Sequence, residues 1–424
     1  MPPSSPLSDP ALAPAAAVPS AAHGPKPLPS LPEGVARGTA AYWRIVFALF
    51  LAGFATFSLI YSVQPLLPEF EQHFHVSPAA SSLPLSLTTA CLAFAIFVAA
   101  AVAESAGRRG LMFMSMFLAA VFNIAAACAP GWTSLLVFRA LAGLVLGGVP
   151  AVAMAYLAEE IDGRHLGRAM GVYVAGTAFG GMMGRVAMGF LIEAMSWREA
   201  MSVLGGLDLL AAIGFVLLLP PSRRFVRKRG FELKYHLDAW RGHLVRPEML
   251  LLYASGFLVM GAFVAVYNYA TFRLVGAPYN LSPKALSLVF SAYLFGIVAS
   301  STAGALGDRV GRGPVLLAGV MIELLGIGLT LSTTLAGVIG GIVVLTIGFF
   351  VAHSVASGWV GRLARGAKGH ASSLYLLAYY LGSSIIGSTA GWFWSHGGWA
   401  SLCAFTSLAL VPASAVALWL WRRA

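Results

Sequence analysis

Roughly twelve apolar runs of about twenty residues punctuate this chain, and that spacing leaves few ways to fold. In hydrocarbon every backbone amide and carbonyl needs a partner within its own segment, so each run is predicted to be an α-helix crossing a bilayer. The first six runs lie near Ile45 to Pro65, Leu83 to Ala103, Leu111 to Ala129, Ser134 to Leu157, Ala169 to Ala194 and Ala200 to Leu219. The second six lie near Met249 to Leu274, Ala285 to Ala305, Pro314 to Ser332, Leu335 to Val360, Ala371 to Trp394 and Ala400 to Trp421. A soluble domain is excluded by composition: 58% of the 424 residues are hydrophobic and 10% charged, with a mean hydropathy of +0.81.

The polar segments divide the chain. Residues 1–40 hold ten of the 23 prolines and are rich in Ala and Ser, which predicts a disordered tail; it lacks the apolar core of a secretory signal. A first six-helix bundle is expected over residues 41–221, a basic linker over 222–247 and a second bundle over 248–424. The linker carries Arg223, Arg224, Arg227, Lys228, Arg229, Lys234 and Arg241, and reads equally as a surface helix on anionic lipid or a solvated tether.

A formal charge of +11 does not signal nucleic-acid binding, because the cations sit between apolar runs rather than on a soluble module with stacking aromatics. Arg108/Arg109, Arg164/Arg168, Arg309/Arg312, Arg362/Arg365/Lys368, Arg422/Arg423 and the linker all fall on one side, against Arg198, Arg273 and Lys284 on the other. By the positive-inside rule both termini are expected in the cytoplasm, with the chain in a bacterial inner membrane. The three cysteines, Cys91, Cys128 and Cys403, lie in apolar runs without metal-ligand spacing, so no metal or cofactor is expected.

The halves repeat. Glu104-Ser105-Ala106-Gly107-Arg108-Arg109 returns as Asp308-Arg309-Val310-Gly311-Arg312, and Tyr173, Gly180, Gly189 and Trp197 return about 202 positions later as Tyr375, Gly382, Gly391 and Trp399. Two similar bundles can rock about a shared central site, which points to a carrier.

These residues resemble the major facilitator superfamily. The loop Gly304-x-x-x-Asp308-Arg309-x-Gly311-Arg312 is similar to its signature loop, with Ala100 and Glu104 departing in the first copy. Arg139-x-x-x-Gly143-x-x-x-Gly147 resembles its fourth-helix motif. Gly176-x-x-x-Gly180-Gly181-Met182-Met183-Gly184-Arg185 resembles the antiporter motif, with Gly181 replacing proline and Arg185 the last glycine. The stretches Tyr61-Ser62-Val63-Gln64-Pro65, Phe349 to Ser357, Ala371 to Tyr375 and Tyr379 to Ser384 resemble members grouped with sugar and drug efflux. The resemblance implies an all-α integral membrane fold of twelve helices in two pseudo-symmetric bundles. It also implies a cavity lined by the first, fourth, seventh and tenth spans, and a cytoplasmic gate.

Gate candidates are Glu104, Gly107, Arg108, Arg109, Glu159, Glu160, Gly304, Asp308, Arg309, Gly311 and Arg312. Either they form a lock, with Glu159 and Glu160 as partners of Arg108 or Arg109, or they are solvated charges obeying the topology rule. Arginines are costly within a span, so Arg139 and Arg185 are candidates to hold an anionic or hydrogen-bonding solute; backbone carbonyls are the alternative partners. Tyr61, Gln64, Tyr267, Asn268, His353, Tyr375 and Tyr379 are expected to line the solute path. Proton-coupling candidates are His353, Asp208 and Glu323, the last two on spans the resemblance implies are peripheral.

The expected function is secondary export of a small organic solute, sugar-like or drug-like, by alternating access with proton exchange. Solute, protons and lipid are the expected partners, and the working unit is expected to be a monomer. Uptake of an organic anion held by Arg139 and Arg185 is the rival; a sensor without flux is a third reading. No nucleotide-binding loop and no convergent nucleophile, metal cluster or carboxylate pair is visible in the sequence, so neither ATP drive nor an enzyme is expected.

Overall fold

The computed structural model describes residues 34–224, 233–364 and 366–423, with residues 100–106 and 233 described by backbone alone. Helices dominate, and they match the twelve expected crossings. In the first half these are α1 (Ala40–Tyr61), α2 (Leu83–Ala106), α3 (Arg108–Ala127), α4 (Trp132–Glu160), α5 (Gly163–Ala194) and α6 (Trp197–Leu218). In the second they are α7 (Pro247–Val275), α8 (Pro283–Val310), α9 (Arg312–Leu329) and α10 (Leu335–Leu363), followed by Lys368–Arg423. That last element is two crossings, α11 (368–397) and α12 (399–423), because Gly398 leaves the helical region at φ 61 and ψ −153.

Local chemistry sets the ends. The side chains of Thr39, Asp162, Ser282 and Thr334 each accept a backbone N–H at the start of α1, α5, α8 and α10, and Ser196 with Glu199 forms a reciprocal cap on α6. Gly107 (φ 86) and Gly311 (φ 93) make the matching tight turns between α2 and α3 and between α8 and α9, in a region that penalises a Cβ. These two turns lie at what is here called the motif end; the loops after α1 and α7 mark the far end.

Three of these helices are interrupted. The α1 path passes through a 3-10 turn at Gln64–Leu66 before continuing as Leu67–Phe74. In α8 a 3-10 turn at Phe290–Ala292 separates Pro283–Val289 from Tyr293–Val310. In α4 the helix breaks at Gly147.

The repeat is real in three dimensions. A Cβ on Gly180 of α5 would meet the Phe54 carbonyl oxygen of α1 at 2.2 Å, and one on Gly382 of α11 would meet the Phe257 carbonyl oxygen of α7 at 2.0 Å. Glycine lets both helix pairs approach backbone to backbone. Between the halves, Gly189 of α5 sits against Pro283 and Ser287 at the start of α8, while Gly391 of α11 sits against Ala79 just before α2.

Part of the expected tail is held: Val35 donates to the Glu160 carbonyl (2.7 Å) and accepts from the Asp162 amide (3.1 Å). The rest of that tail, residues 1–33, lies outside the described residues, as do linker residues 225–232. The remaining linker forms a helix, Leu233–Leu244, that touches both halves. Trp240 packs on Phe97 of α2 with ring centroids 4.5 Å apart and donates its indole N–H to Ser373 of α11 (3.4 Å). His236 shares a 2.9 Å hydrogen bond with His370, and Arg246 donates to the Leu363 carbonyl (2.6 Å).

Candidate functional site

Close packing of α1 on α5 brings two polar residues together at the centre. With no side chain at Gly184, α5 lies against the Ser58 backbone, and the next residue, Arg185, is delivered fully buried beside the end of α1. Its Nε donates to Gln64 Oε1 at 2.6 Å and one terminal nitrogen to the Gly181 carbonyl at 2.6 Å. The Gln64 amide nitrogen in turn donates to Asn268 Oδ1 of α7, also at 2.6 Å, carrying the chain of bonds across to the second half.

Aromatic rings enclose the guanidinium. Its carbon stands 4.1 Å from the Tyr61 ring centroid, 4.8 Å from that of Tyr293 and 5.2 Å from that of Phe290. Ring faces attract a cation and partly compensate its desolvation. No carboxylate pairs with Arg185 among the described residues, and its other terminal nitrogen has no hydrogen-bond partner, with the Tyr293 hydroxyl as a polar neighbour. The Asn268 side-chain nitrogen is likewise buried and unpartnered. Two donors thus remain open, one at each end of the Gln64 amide.

The aromatic wall continues toward the motif end through α7, α10 and α11. Phe263 and Phe349 stack with centroids 3.8 Å apart. Tyr267 hydrogen-bonds Thr346 at 2.7 Å. His353 is only partly buried, bonds the Tyr375 hydroxyl through Nδ1 at 3.0 Å, and lies 4.6 Å from the Tyr379 ring. Tyr61, Gln64, Tyr267, Asn268, His353, Tyr375 and Tyr379 therefore gather around one axis with Arg185.

Arg139 is engaged elsewhere. Although equally buried, it donates to the carbonyls of Leu59 (3.1 Å), Ile60 (3.0 Å) and Pro84 (3.4 Å) and to Asn123 Oδ1 (3.2 Å), tying α4 to α1, α2 and α3. Of the two partner types the sequence leaves open, backbone carbonyls take most of this guanidinium. The central wall draws on α5, α8 and α11 as well as on α1, α7 and α10. Phe290 and Tyr293 are absent from the sequence-based list of site residues; their signal was the aromatic cluster Phe290, Tyr293 and Phe295 in the eighth run.

The two membrane acids stand apart from this axis. Asp208 of α6 is 2% exposed, with Ser58 as its polar neighbour and one carboxylate oxygen unpartnered. Glu323 of α9 is fully buried with neither oxygen hydrogen-bonded, where Gly348 of α10 comes against its backbone.

At the motif end the charged groups pair within each half. Arg108 forms a two-point ion pair with Glu159 (Nε to Oε2 2.6 Å). Arg109 donates instead to the Val216 carbonyl. Glu160 takes the Ser222 hydroxyl and the amides of Arg223 (2.8 Å) and Arg224 (2.9 Å), so it anchors the linker rather than the glycine turn. In the second half Asp308 accepts from Arg312 (3.1 Å) and Arg362 of α10 (2.8 Å), while Arg309 is exposed. A Cβ on Gly304 would meet nothing within 4 Å. The side chain of Glu104 and all of Arg365 lie outside the described residues. At the far end Arg273 binds the Thr330 and Ser332 carbonyls and lies over the Trp399 ring at 4.8 Å.

Comparison with known proteins gives one consistent answer. Residues 45–277 match the family model described as Major Facilitator Superfamily. The MFS-type transporter YybF of Bacillus subtilis is 42% identical over 91% of this chain and 94% of its own. Inner membrane transport protein YnfM of Escherichia coli is 41% identical over 92% of this chain and 93% of its own, and the stretches around Tyr61, His353 and Tyr379 resemble that type. Among solved structures, a variant of the nucleoside transporter NupG has a TM-score of 0.73 at 12% identity, covering 88% of this chain and 98% of that one. A bacterial homologue of the human lysosomal transporter Spinster, inward-facing and occupied, has a TM-score of 0.68 at 14% identity, covering 91% and 97%. These likenesses concern the fold.

Proposed function

Since the chain belongs to the Major Facilitator Superfamily and is a multi-pass membrane transporter, we propose that it is a secondary carrier that exports a small organic solute by alternating access around Arg185. One observation supports this reading above the others. Among the described residues, the hydrogen bonds that cross directly between the halves run from the far end to mid-membrane: Gln64 to Asn268, Lys284 to Glu193, Ser82 and Ser86 to Ser388, and Thr89 to Ser384. The motif-end ion pairs stay within their own halves. Two bundles whose direct hydrogen bonds to each other gather toward one end fit one half of a rocking cycle. The motif end is then the cytoplasmic end, with both termini on that side in a bacterial inner membrane, and the chain works as a monomer.

Drive by proton exchange belongs to the same proposal, with His353, Asp208 and Glu323 as the groups to carry it. Among the described residues the aromatic wall offers His353 but no acid, so in this reading the acids act from behind it. Uptake of an organic anion is the second reading, favoured because no carboxylate pairs with Arg185 among the described residues and one of its nitrogens is unpartnered.

Labelling tests the cycle. In a background with Cys91, Cys128 and Cys403 replaced, Ser357→Cys probes the motif end and Ser388→Cys the far end. A transported solute must change the two reactivities in opposite senses, and sealed proteoliposomes must show flux responding to an imposed pH gradient. Reactivity that never alternates refutes the carrier; solute binding without flux identifies a sensor.

A further inference from the structure

Arg185 poses an electrostatic problem that its surroundings only half solve. A guanidinium in a membrane interior is costly unless it meets a counter-charge, and the supports here are two neutral carbonyl oxygens and three ring faces. One of those oxygens belongs to a mobile type of group, the Gln64 side chain, positioned on the 3-10 turn where α1 is interrupted. Gln64 also spans the two halves, because its amide nitrogen is spent on Asn268. The result is a neutral amide lodged between a guanidinium that donates to it and an asparagine that accepts from it, each with an unused N–H of its own.

We propose that Gln64 is a placeholder for the solute: its amide oxygen occupies the position that a solute carboxylate takes on Arg185, and its withdrawal opens the space beside Asn268, whose amide N–H is already unused, to a second polar group on the same molecule. The inference rests on the carrier reading and names its substrate class, an organic anion with a planar apolar body. The anionic group neutralises Arg185 and uses its open nitrogen, while the body lies along Tyr61, Tyr293 and the wall that runs to Tyr379. Displacing Gln64 also breaks the Gln64–Asn268 bond between halves, so the step that fills the site loosens the far-end closure.

Melting of the purified full-length carrier in detergent, followed by its tryptophan fluorescence, tests this directly. The probes are benzoate, the neutral isostere benzamide and the cation benzylamine. Benzoate is expected to raise the melting temperature more than benzamide, and benzylamine not to raise it. Arg185→Gln should weaken benzoate about tenfold or more while Arg185→Lys retains part of the effect. Gln64→Glu should raise the melting temperature without ligand and abolish the benzoate response, because the new carboxylate fills the position; Gln64→Ala should keep the response and tighten it.

Equal responses to benzoate and benzamide, no response to benzoate, or a Gln64→Glu protein that responds like the wild type would each overturn the proposal. Should Arg185→Gln fail to fold, the Gln64→Glu and Gln64→Ala pair decides alone. Solute flux with no preference for anions sinks the placeholder and spares the carrier reading. Anion binding without flux in sealed vesicles does the reverse.

Discussion

Placing a methyl group on Gly180 or Gly382 is the sharpest perturbation the fold offers. An alanine Cβ at position 180 of α5 would stand 2.2 Å from the Phe54 carbonyl oxygen of α1, and one at position 382 of α11 would stand 2.0 Å from that of Phe257 of α7, where ordinary contact begins at 3.4 Å. The shortfall is roughly 1.2 Å or more, and the opposing atom is helix backbone, so whole helices must separate rather than a side chain swing aside. Overpacking of this kind costs about 1–3 kcal/mol, set against a gain of up to about 1 kcal/mol from replacing a helical glycine by alanine. Each substitution is expected to lower the melting temperature in detergent by several degrees, on the order of 2–4 °C per kcal/mol. The two sites lie in separate halves, so Gly180→Ala/Gly382→Ala should give close to the sum. Gly206→Ala and Gly361→Ala, where a Cβ would meet nothing within 4 Å, are the controls and should melt at or slightly above the wild type. If all four proteins melt together, close approach of α1 to α5 and of α7 to α11 is not what those glycines provide.

Arg139→Ala removes the donor that reaches the Leu59 and Ile60 carbonyls and Asn123, and should lower stability by about 1–3 kcal/mol, seen as a lower melting temperature with or without solute. Arg108→Glu should reduce flux in proteoliposomes, and the exchange Arg108→Glu/Glu159→Arg should restore part of it. Loss of that ion pair should move stability by no more than about 1 kcal/mol, since it is partly exposed. Asp162, in the loop before α5, has its carboxyl held down to about 2 by the Arg164 side chain first and the Arg164 amide second. A depressed folded value stabilises above the unfolded value near 4 and loses that contribution as pH falls through about 2. The stability gap between wild type and Asp162→Asn, followed by melting from pH 7 to pH 2, should therefore close only at the acid end.

How much of this could be read from the residues differs between fold and site. The crossings were legible because lipid forces every apolar run into a helix, and the repeat was legible because Gly180 and Gly382 must stay small. Which way a membrane helix faces is much less so: a helix that is apolar nearly all round carries little information about rotation. That is why Arg139 and Arg185, at similar depth on neighbouring helices, read alike in sequence but face different partners. Asn123 and the carbonyls at Leu59 and Ile60, which engage Arg139, leave no mark on the residues near it. The Tyr293 contact with Arg185 depends on the docking of α5 against α8, a packing event between halves. Glu160 and Glu159 are adjacent in sequence, but their helix ends point them to different tasks, one to the linker and one to the glycine turn.

The helix at residues 233–244 belongs to neither bundle by sequence, but Trp240 touches α2 on one face and α11 on the other. A connector that merely kept two bundles in one chain would serve as well when long and slack. This one acts as a strut between α2 and α11, and on the proposed rocking cycle any movement of one helix against the other must slide, tip or unseat a single tryptophan.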